Sequence, residues 1–117
     1  GTEVPCTFMF AFNSENKIVG RSSIRHELND HLMKDGGHIG YAVVPEFRKQ
    51  GIATETLKQS LQFCREWNIE VEGKVLVTCD DDNIGSFKTI ENNGGVLLDK
   101  INLVIGKPSK RRYWIAL

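Results

Sequence analysis

The sequence predicts an α/β domain in which a mixed sheet is covered by helices. Three observations carry that reading. Short apolar runs with strand character recur along the chain. Two segments change to the 3.6-residue helical period, and each falls between strands. The chain has 117 residues, 40% hydrophobic and 26% charged, which suits one globular unit. No repeat or linker divides it, so residues 1–117 are expected to form a single domain.

Residues 7–12 (TFMFAF) are apolar and aromatic and read as the first strand. Asn13-Ser14-Glu15-Asn16 has turn chemistry, and residues 17–24 (KIVGRSSI) return as the second strand of a hairpin. Residues 29–37 (NDHLMKDGG) are polar and end in glycine, so they read as a loop. Residues 38–44 (HIGYAVV) form a third strand, stopped by Pro45. The period then changes. Leu57, Leu61 and Cys64 lie at i, i+4 and i+7, Ala53 and Trp67 extend that face, and Lys58, Gln62, Arg65 and Glu66 lie off it. The spacing predicts an amphipathic helix over 51–67. Residues 74–79 (KVLVTC) have the continuous apolar centre of a strand buried on both faces. A second helix follows Asp80-Asp81-Asp82, with Ile84, Phe87 and Ile90 recurring every third residue and Asp82 or Asn83 as its cap. Asn93-Gly94-Gly95 ends it. Residues 96–105 and 112–117 are two more strands, joined through Gly106-Lys107-Pro108. The order is β-β-β-α-β-α-β-β.

Charge and cysteine usage narrow the partners. Fifteen basic residues balance fifteen acidic ones, giving net charge zero. The net basic footprint of a duplex nucleic-acid binder is missing, so no nucleic acid is expected. No apolar run reaches the roughly 18 residues of a membrane span, and the first five residues (GTEVP) lack the features of a secretory signal. Cys6, Cys64 and Cys79 are isolated and odd in number, which suits reduced thiols in the cytoplasm better than disulfides or zinc. Cys64 is expected in the core, and Cys79 has no activating base beside it. His26, His31 and His38 are unevenly spaced, and Asp80–Asp82 lacks the alternating ligands of a calcium loop, so no metal is expected. The three aspartates read instead as a cap and favourable charge at a helix start. Gly36-Gly37-His38-Ile39-Gly40 is no dinucleotide fingerprint, because it leads into a strand and lacks the G-x-G-x-x-G spacing. Phe63, Phe87 and Trp67 read as packing residues, and Lys107, Lys110, Arg111 and Arg112 as a solvated turn.

The informative stretch is residues 43–54 (VVPEFRKQGIAT), where a strand ends, a basic loop follows and a helix opens. A helix start leaves about four main-chain N–H groups without intrahelical partners. With the positive end of the helix dipole, these donors form an anion site. Gly51 and Ala53 remove bulk where an anion must approach the backbone, and Arg48 and Lys49 add two positive charges. The chemistry predicts a bound phosphate or pyrophosphate.

This stretch resembles the cofactor motif of the GNAT superfamily of N-acetyltransferases. That motif, Q/R-x-x-G-x-G/A, is met by Arg48, Gly51 and Ala53, and the Val-x-Pro lead-in by Val43-Val44-Pro45. Downstream, Asn83-x-x-Ser86 and then Gly94-Gly95 match a second family pattern. The likeness runs from about residue 7 to residue 117, and the wording of residues 24–29 and 36–41 is similar to bacterial proteins labelled acetyltransferases. The resemblance implies the GNAT fold, a mixed, mostly antiparallel sheet with flanking helices, splayed between the strand ending at Val44 and the strand KVLVTC. It implies that main-chain amides of Gln50, Gly51, Ile52, Ala53 and Thr54 hold the acetyl-CoA pyrophosphate, flanked by Arg48 and Lys49. Pantetheine would pair with backbone at Val43 and Val44, and Asn83 and Ser86 would line the thioester side. Acetyl would pass directly from coenzyme A to a primary amine of a small molecule or peptide, without metal or covalent enzyme intermediate.

Three departures qualify that expectation. The position of the family's usual tyrosine acid is Ile90. Residues 38–44 contain no carboxylate to act as base, which leaves His38, Glu27 or His26, or water. The family's N-terminal strand and helices have no counterpart, since TFMFAF already resembles its second strand. An acceptor pocket without them is open or completed by another subunit, and an exposed apolar face would favour a homodimer. Two other readings are therefore carried beside the enzyme: a non-catalytic acyl-CoA-binding or sensor domain, and an interaction domain without ligand.

Overall fold

The predicted hairpin forms. β1 (Cys6–Phe12) and β2 (Ile18–Arg25) pair antiparallel with Phe8 opposite Ser23 and Phe10 opposite Arg21. Asn13 closes the turn, its Oδ1 accepting from the N–H of Glu15 at 2.9 Å and of Lys17 at 3.0 Å. β3 (Ile39–Val43) extends this sheet on the far side of β2. The structure, a computed structural model, describes residues 4–117. Its second sheet has the order β4-β6-β5, all antiparallel, from β4 (Lys74–Asp80), β5 (Gly95–Ile101) and β6 (Lys110–Ala116). The helices are α1 (Asp30–Lys34), α2 (Ile52–Trp67) and α3 (Ile84–Asn92).

One core serves both sheets. Ile24 and Ile39 come from the first sheet, Val75, Val77, Tyr113 and Ile115 from the second, Leu57, Leu61 and Cys64 from α2, and Ile90 from α3. Each such apolar side chain contributes roughly 1.5–3 kcal/mol on burial. Ser60 of α2 is buried as well, and its Oγ lies 2.8 Å from both Ser22 Oγ and the Thr56 carbonyl oxygen, so the polar group is satisfied.

The splay between β3 and β4 is complete enough that no ladder joins them, and the sheet is two three-stranded sheets. They meet at His38. Its N–H donates to the Leu76 carbonyl at 2.8 Å, and its Nδ1 accepts from the Leu76 N–H at 2.9 Å. On the other side its carbonyl accepts from the Arg25 N–H at 2.6 Å. Gly37, at φ +60°, makes the contact close: a Cβ there would lie 2.4 Å from the Leu76 carbonyl oxygen.

Other expectations change. Residues 30–34 are a helical turn rather than loop, because Asn29 Oδ1 accepts from the Leu32 N–H at 2.8 Å. The fifth strand stops at Ile101 instead of continuing to 105, and Asn102 Nδ2 closes the following turn on the Lys107 carbonyl at 3.1 Å. Lys110, Arg111 and Arg112 are not a solvated turn. They open β6 and pair with Asp80 at 2.6 Å, Asp81 at 2.6 Å and Asp99 at 2.5 Å. The acidic run before α3 therefore neutralises β6, while Asn83 alone does the capping through its Oδ1 and the Ser86 N–H at 3.1 Å. Trp67 is 66% exposed, stacked on Phe63 with ring centroids 5.7 Å apart, and so lies off the buried face.

Burial of His38 disfavours its charged form and lowers its pKa from 6.5 to about 4, against a smaller opposing pull from Glu70. Between those values the unfolded chain holds a proton that the folded chain does not. The stability from neutral His38 is therefore complete above pH 6.5 and is lost as pH falls towards 4, by on the order of ~3 kcal/mol. Urea denaturation of wild type and His38→Leu should show a gap between the two that narrows across this window; a gap independent of pH would contradict the assignment. Asp81 and Asp99, held below the ordinary carboxylate range by their bonds to Arg111 and Arg112, lose their contributions at lower pH.

Candidate active site

β3 ends at Val43 because Pro45 follows and turns the chain through the 3₁₀ segment Pro45–Phe47. Lys49 and Gly51 both take positive φ, 63° and 78°. This turn delivers the chain to α2 with Gly51 at its N-cap, where there is no side-chain oxygen to accept from the helix. The first main-chain bond runs from the Glu55 N–H to the Gly51 carbonyl at 3.1 Å. The N–H groups of Ile52, Ala53 and Thr54 precede it and have no intrahelical acceptor. A Cβ placed on Gly51 would meet nothing within 4 Å, so the space beside the N-cap is open.

That space is the mouth of a cavity of about 500 Å³ between β3, the start of α2 and the start of α3. Among the predicted residues it brings together Val43, Arg48, Lys49, Gly51, Ile52, Ala53, Thr54, Asn83 and Ser86. Gln50 is exposed and stands outside it. Val44 is also outside: its N–H donates to the Val19 carbonyl at 2.9 Å and its carbonyl accepts from the Phe47 N–H at 2.9 Å. A ligand strand would thus pair with β3 before Val44, not at it. Asn93, at the C-terminal end of α3, ties that end to the start of α2, its Nδ2 donating to the Thr54 carbonyl at 3.2 Å and the Thr89 carbonyl at 3.0 Å.

Neither proposed base reaches the cavity. His38 is fully buried, its Nδ1 is occupied by Leu76, and its Nε2 is buried without a hydrogen-bond partner among the described residues. With Nδ1 accepting, Nε2 carries the proton, and a base needs the reverse. Glu27 is exposed in the bend after β2 and does not line the gap. Ile90, at the family's tyrosine position, is fully buried in the core. The reading of the sequence missed Tyr41, which lines the cavity from β3. Its hydroxyl donates to the Ser86 carbonyl at 3.2 Å and lies 2.9 Å from Ser86 Oγ. Burial raises its pKa to about 12, against the Ser86 hydrogen bond, which lowers it. The alternation of the strand could have shown it, since Tyr41 and Val43 share a face.

The described residues contain no group of histidine, cysteine and carboxylate side chains that could hold a metal ion. No helix among them is long and apolar enough to cross a membrane.

Residues 2–96 match the family model of the acetyltransferase (GNAT) domain. The chain belongs to the GNAT acetyltransferase family. Solved GNAT structures share its fold at low identity. Ribosomal-protein-S5-alanine acetyltransferase from Vibrio fischeri aligns with TM-score 0.73 and 18% identity over 95% of this chain and 61% of its own. Microcin C7 self immunity acetyltransferase MccE, solved with acetyl-CoA and AMP, aligns with TM-score 0.71 and 20% identity over 96% and 61%. A mutant of spermidine N-acetyltransferase SpeG from Vibrio cholerae aligns with TM-score 0.75 and 14% identity over 95% and 65%. The GNAT chain thus spans less than two thirds of the length of each of these structures. No curated relative matches it.

Gly51→Glu adds a carboxylate at the lining of this cavity where there is room for it, at a backbone cost of about 1–2 kcal/mol for a side chain at positive φ. It should leave a cooperative thermal transition while abolishing calorimetric binding of ADP and coenzyme A. Unchanged binding would place the anion elsewhere.

Proposed function

We propose that the chain is an acetyl-CoA-dependent N-acetyltransferase acting on a primary amine of a small molecule or peptide. The observation that carries this is the cavity at the start of α2, where uncapped amides, Arg48 and Lys49 converge under open space. A pyrophosphate fits such a donor set: three main-chain N–H groups, a helix dipole and two cations all favour negative charge. The amides of residues 52–54 hold the phosphates, and Arg48 and Lys49 screen them from solvent. β3 is an edge strand on the side of the gap, and its main-chain groups at Tyr41 and Val43, which face away from β2, can pair an extended amide-bearing arm. Bound acetyl-CoA supplies an acetyl group already activated as a thioester. The protein's part is to orient that carbonyl and to exclude competing geometry, which is positioning catalysis. The free thiols Cys6, Cys64 and Cys79 suit a reducing compartment.

A second reading, a domain that binds acyl-CoA without turnover, is favoured by buried Ile90 and by the absence of a carboxylate from β3.

Titration calorimetry with acetyl-CoA decides whether the cofactor binds, and thiol release across a panel of amino acids, polyamines and peptide N-termini decides between the readings. Binding at micromolar to millimolar cofactor is expected. At a concentration of 100 times Kd it should stabilise the fold by ~2.7 kcal/mol. A folded protein that does not bind at millimolar cofactor would end both readings.

A further inference from the structure

We propose that Tyr41 is the proton donor to the sulfur that departs from the acetyl group, taking over in this chain the place that Ile90 cannot fill. The inference rests on the acetyltransferase reading and assigns it a residue. Three observations converge on Tyr41. It is the residue of β3 that lines the cavity furthest back from the phosphate loop, two positions before Val43, which at a strand rise of ~3.3 Å per residue lies about 7 Å deeper. Its hydroxyl spans the gap to the second turn-end of the site, meeting the Ser86 carbonyl at 3.2 Å and Ser86 Oγ at 2.9 Å. Ile90 is fully buried in the core and offers no proton.

The hydroxyl is a donor held in reserve. It spends its hydrogen on Ser86 in the structure, and a group with a stronger claim, such as a thiolate, can draw that hydrogen away. Burial keeps the phenol neutral through and beyond physiological pH, so the proton is always present. The titratable neighbour acting on it is Cys79 of β4, whose own thiol burial pushes up to about 11; Arg111, Asp80 and Asp81 act on that thiol in turn. Tyr41 is therefore paired with neutral groups, not with a carboxylate that would hold its proton.

The neutral amine nitrogen forms a bond to the thioester carbonyl carbon, and the carbon–sulfur bond breaks with its electron pair on sulfur. Tyr41 passes its proton to that sulfur. The proton shed by the nitrogen returns to Tyr41, directly or through the Ser86 hydroxyl. The tyrosine is neutral before and after, and the products are the amide and a thiol.

Tyr41→Phe keeps the ring and removes the donor. The primary readout is the thiol of bound coenzyme A, followed by its ultraviolet thiolate absorbance during a pH titration, which needs no acceptor. In wild type the hydroxyl stabilises the thiolate, so the bound thiol should titrate at least about one pH unit lower than in Tyr41→Phe. Where the amine panel gives turnover, kcat should fall about 10²-fold with KM for acetyl-CoA changed less than about threefold. Identical thiol titrations overturn the proposal. So does a variant that loses coenzyme A affinity and thermal stability together, because that marks a tie between β3 and α3 and nothing more. If Tyr41→Phe does not fold, 3-fluorotyrosine at both tyrosines carries the test: a more acidic phenol should pull the bound thiol lower still, and an unmoved thiol overturns the assignment. Failure of wild type to bind coenzyme A overturns the acetyltransferase reading itself, which separates the two outcomes.

Discussion

The pair of hydrogen bonds between His38 and Leu76 fixes where the two sheets touch, and the gap exists because they touch there and no ladder extends from it. The contact uses a backbone donor and a side-chain acceptor from one residue against both main-chain groups of another. A buried N–H or carbonyl without a partner costs roughly 1–3 kcal/mol, so neither sheet can slide along the other without orphaning these groups. Gly37 permits the approach, and the core formed by Ile24, Ile39, Val75, Val77 and Tyr113 fills the space around it. Beyond it, β3 and β4 diverge around the cavity, and the Tyr41 hydroxyl reaches across to Ser86 of α3.

The two helices that border the cavity begin in opposite ways. α3 has a conventional start, with Asn83 accepting from the Ser86 N–H. α2 starts on a left-handed glycine without a side-chain acceptor, after a turn in which Lys49 also takes positive φ. A serine or aspartate at such a cap is ordinarily preferred. Leaving the donors of α2 unsatisfied is a local cost that a bound anion removes, and such costs concentrate at functional sites. Asn93 bonding to the Thr54 carbonyl then holds the open start of α2 against the C-terminal end of α3.

Much of this was legible from residue order. The hairpin, the amphipathic face of Leu57, Leu61 and Cys64, and the strand-to-helix turn at Arg48–Ala53 are local patterns, and their physics is local. What stayed hidden depends on partners distant in sequence. His38 reads as a titratable group near a glycine-rich loop, and only the approach of Leu76 makes it a buried structural acceptor. Lys110, Arg111 and Arg112 read as a solvated run because Asp80, Asp81 and Asp99, which neutralise them, lie 13 to 30 residues away. Val44 looked like part of the cofactor edge until its N–H was found on Val19. Tyr41 stands in an apolar strand, where the alternation that puts it on the same face as Val43 is the one local sign of its place.

The central claim is that main-chain donors at the start of α2 hold a doubly phosphorylated carrier. Amide ¹H–¹⁵N spectra recorded during titration with coenzyme A test it residue by residue. The amides of Ile52, Ala53 and Thr54 should move downfield together and saturate with a common affinity, as expected for N–H groups that gain a charged acceptor. Saturable shifts confined to other residues, with these three amides unmoved, would contradict the account.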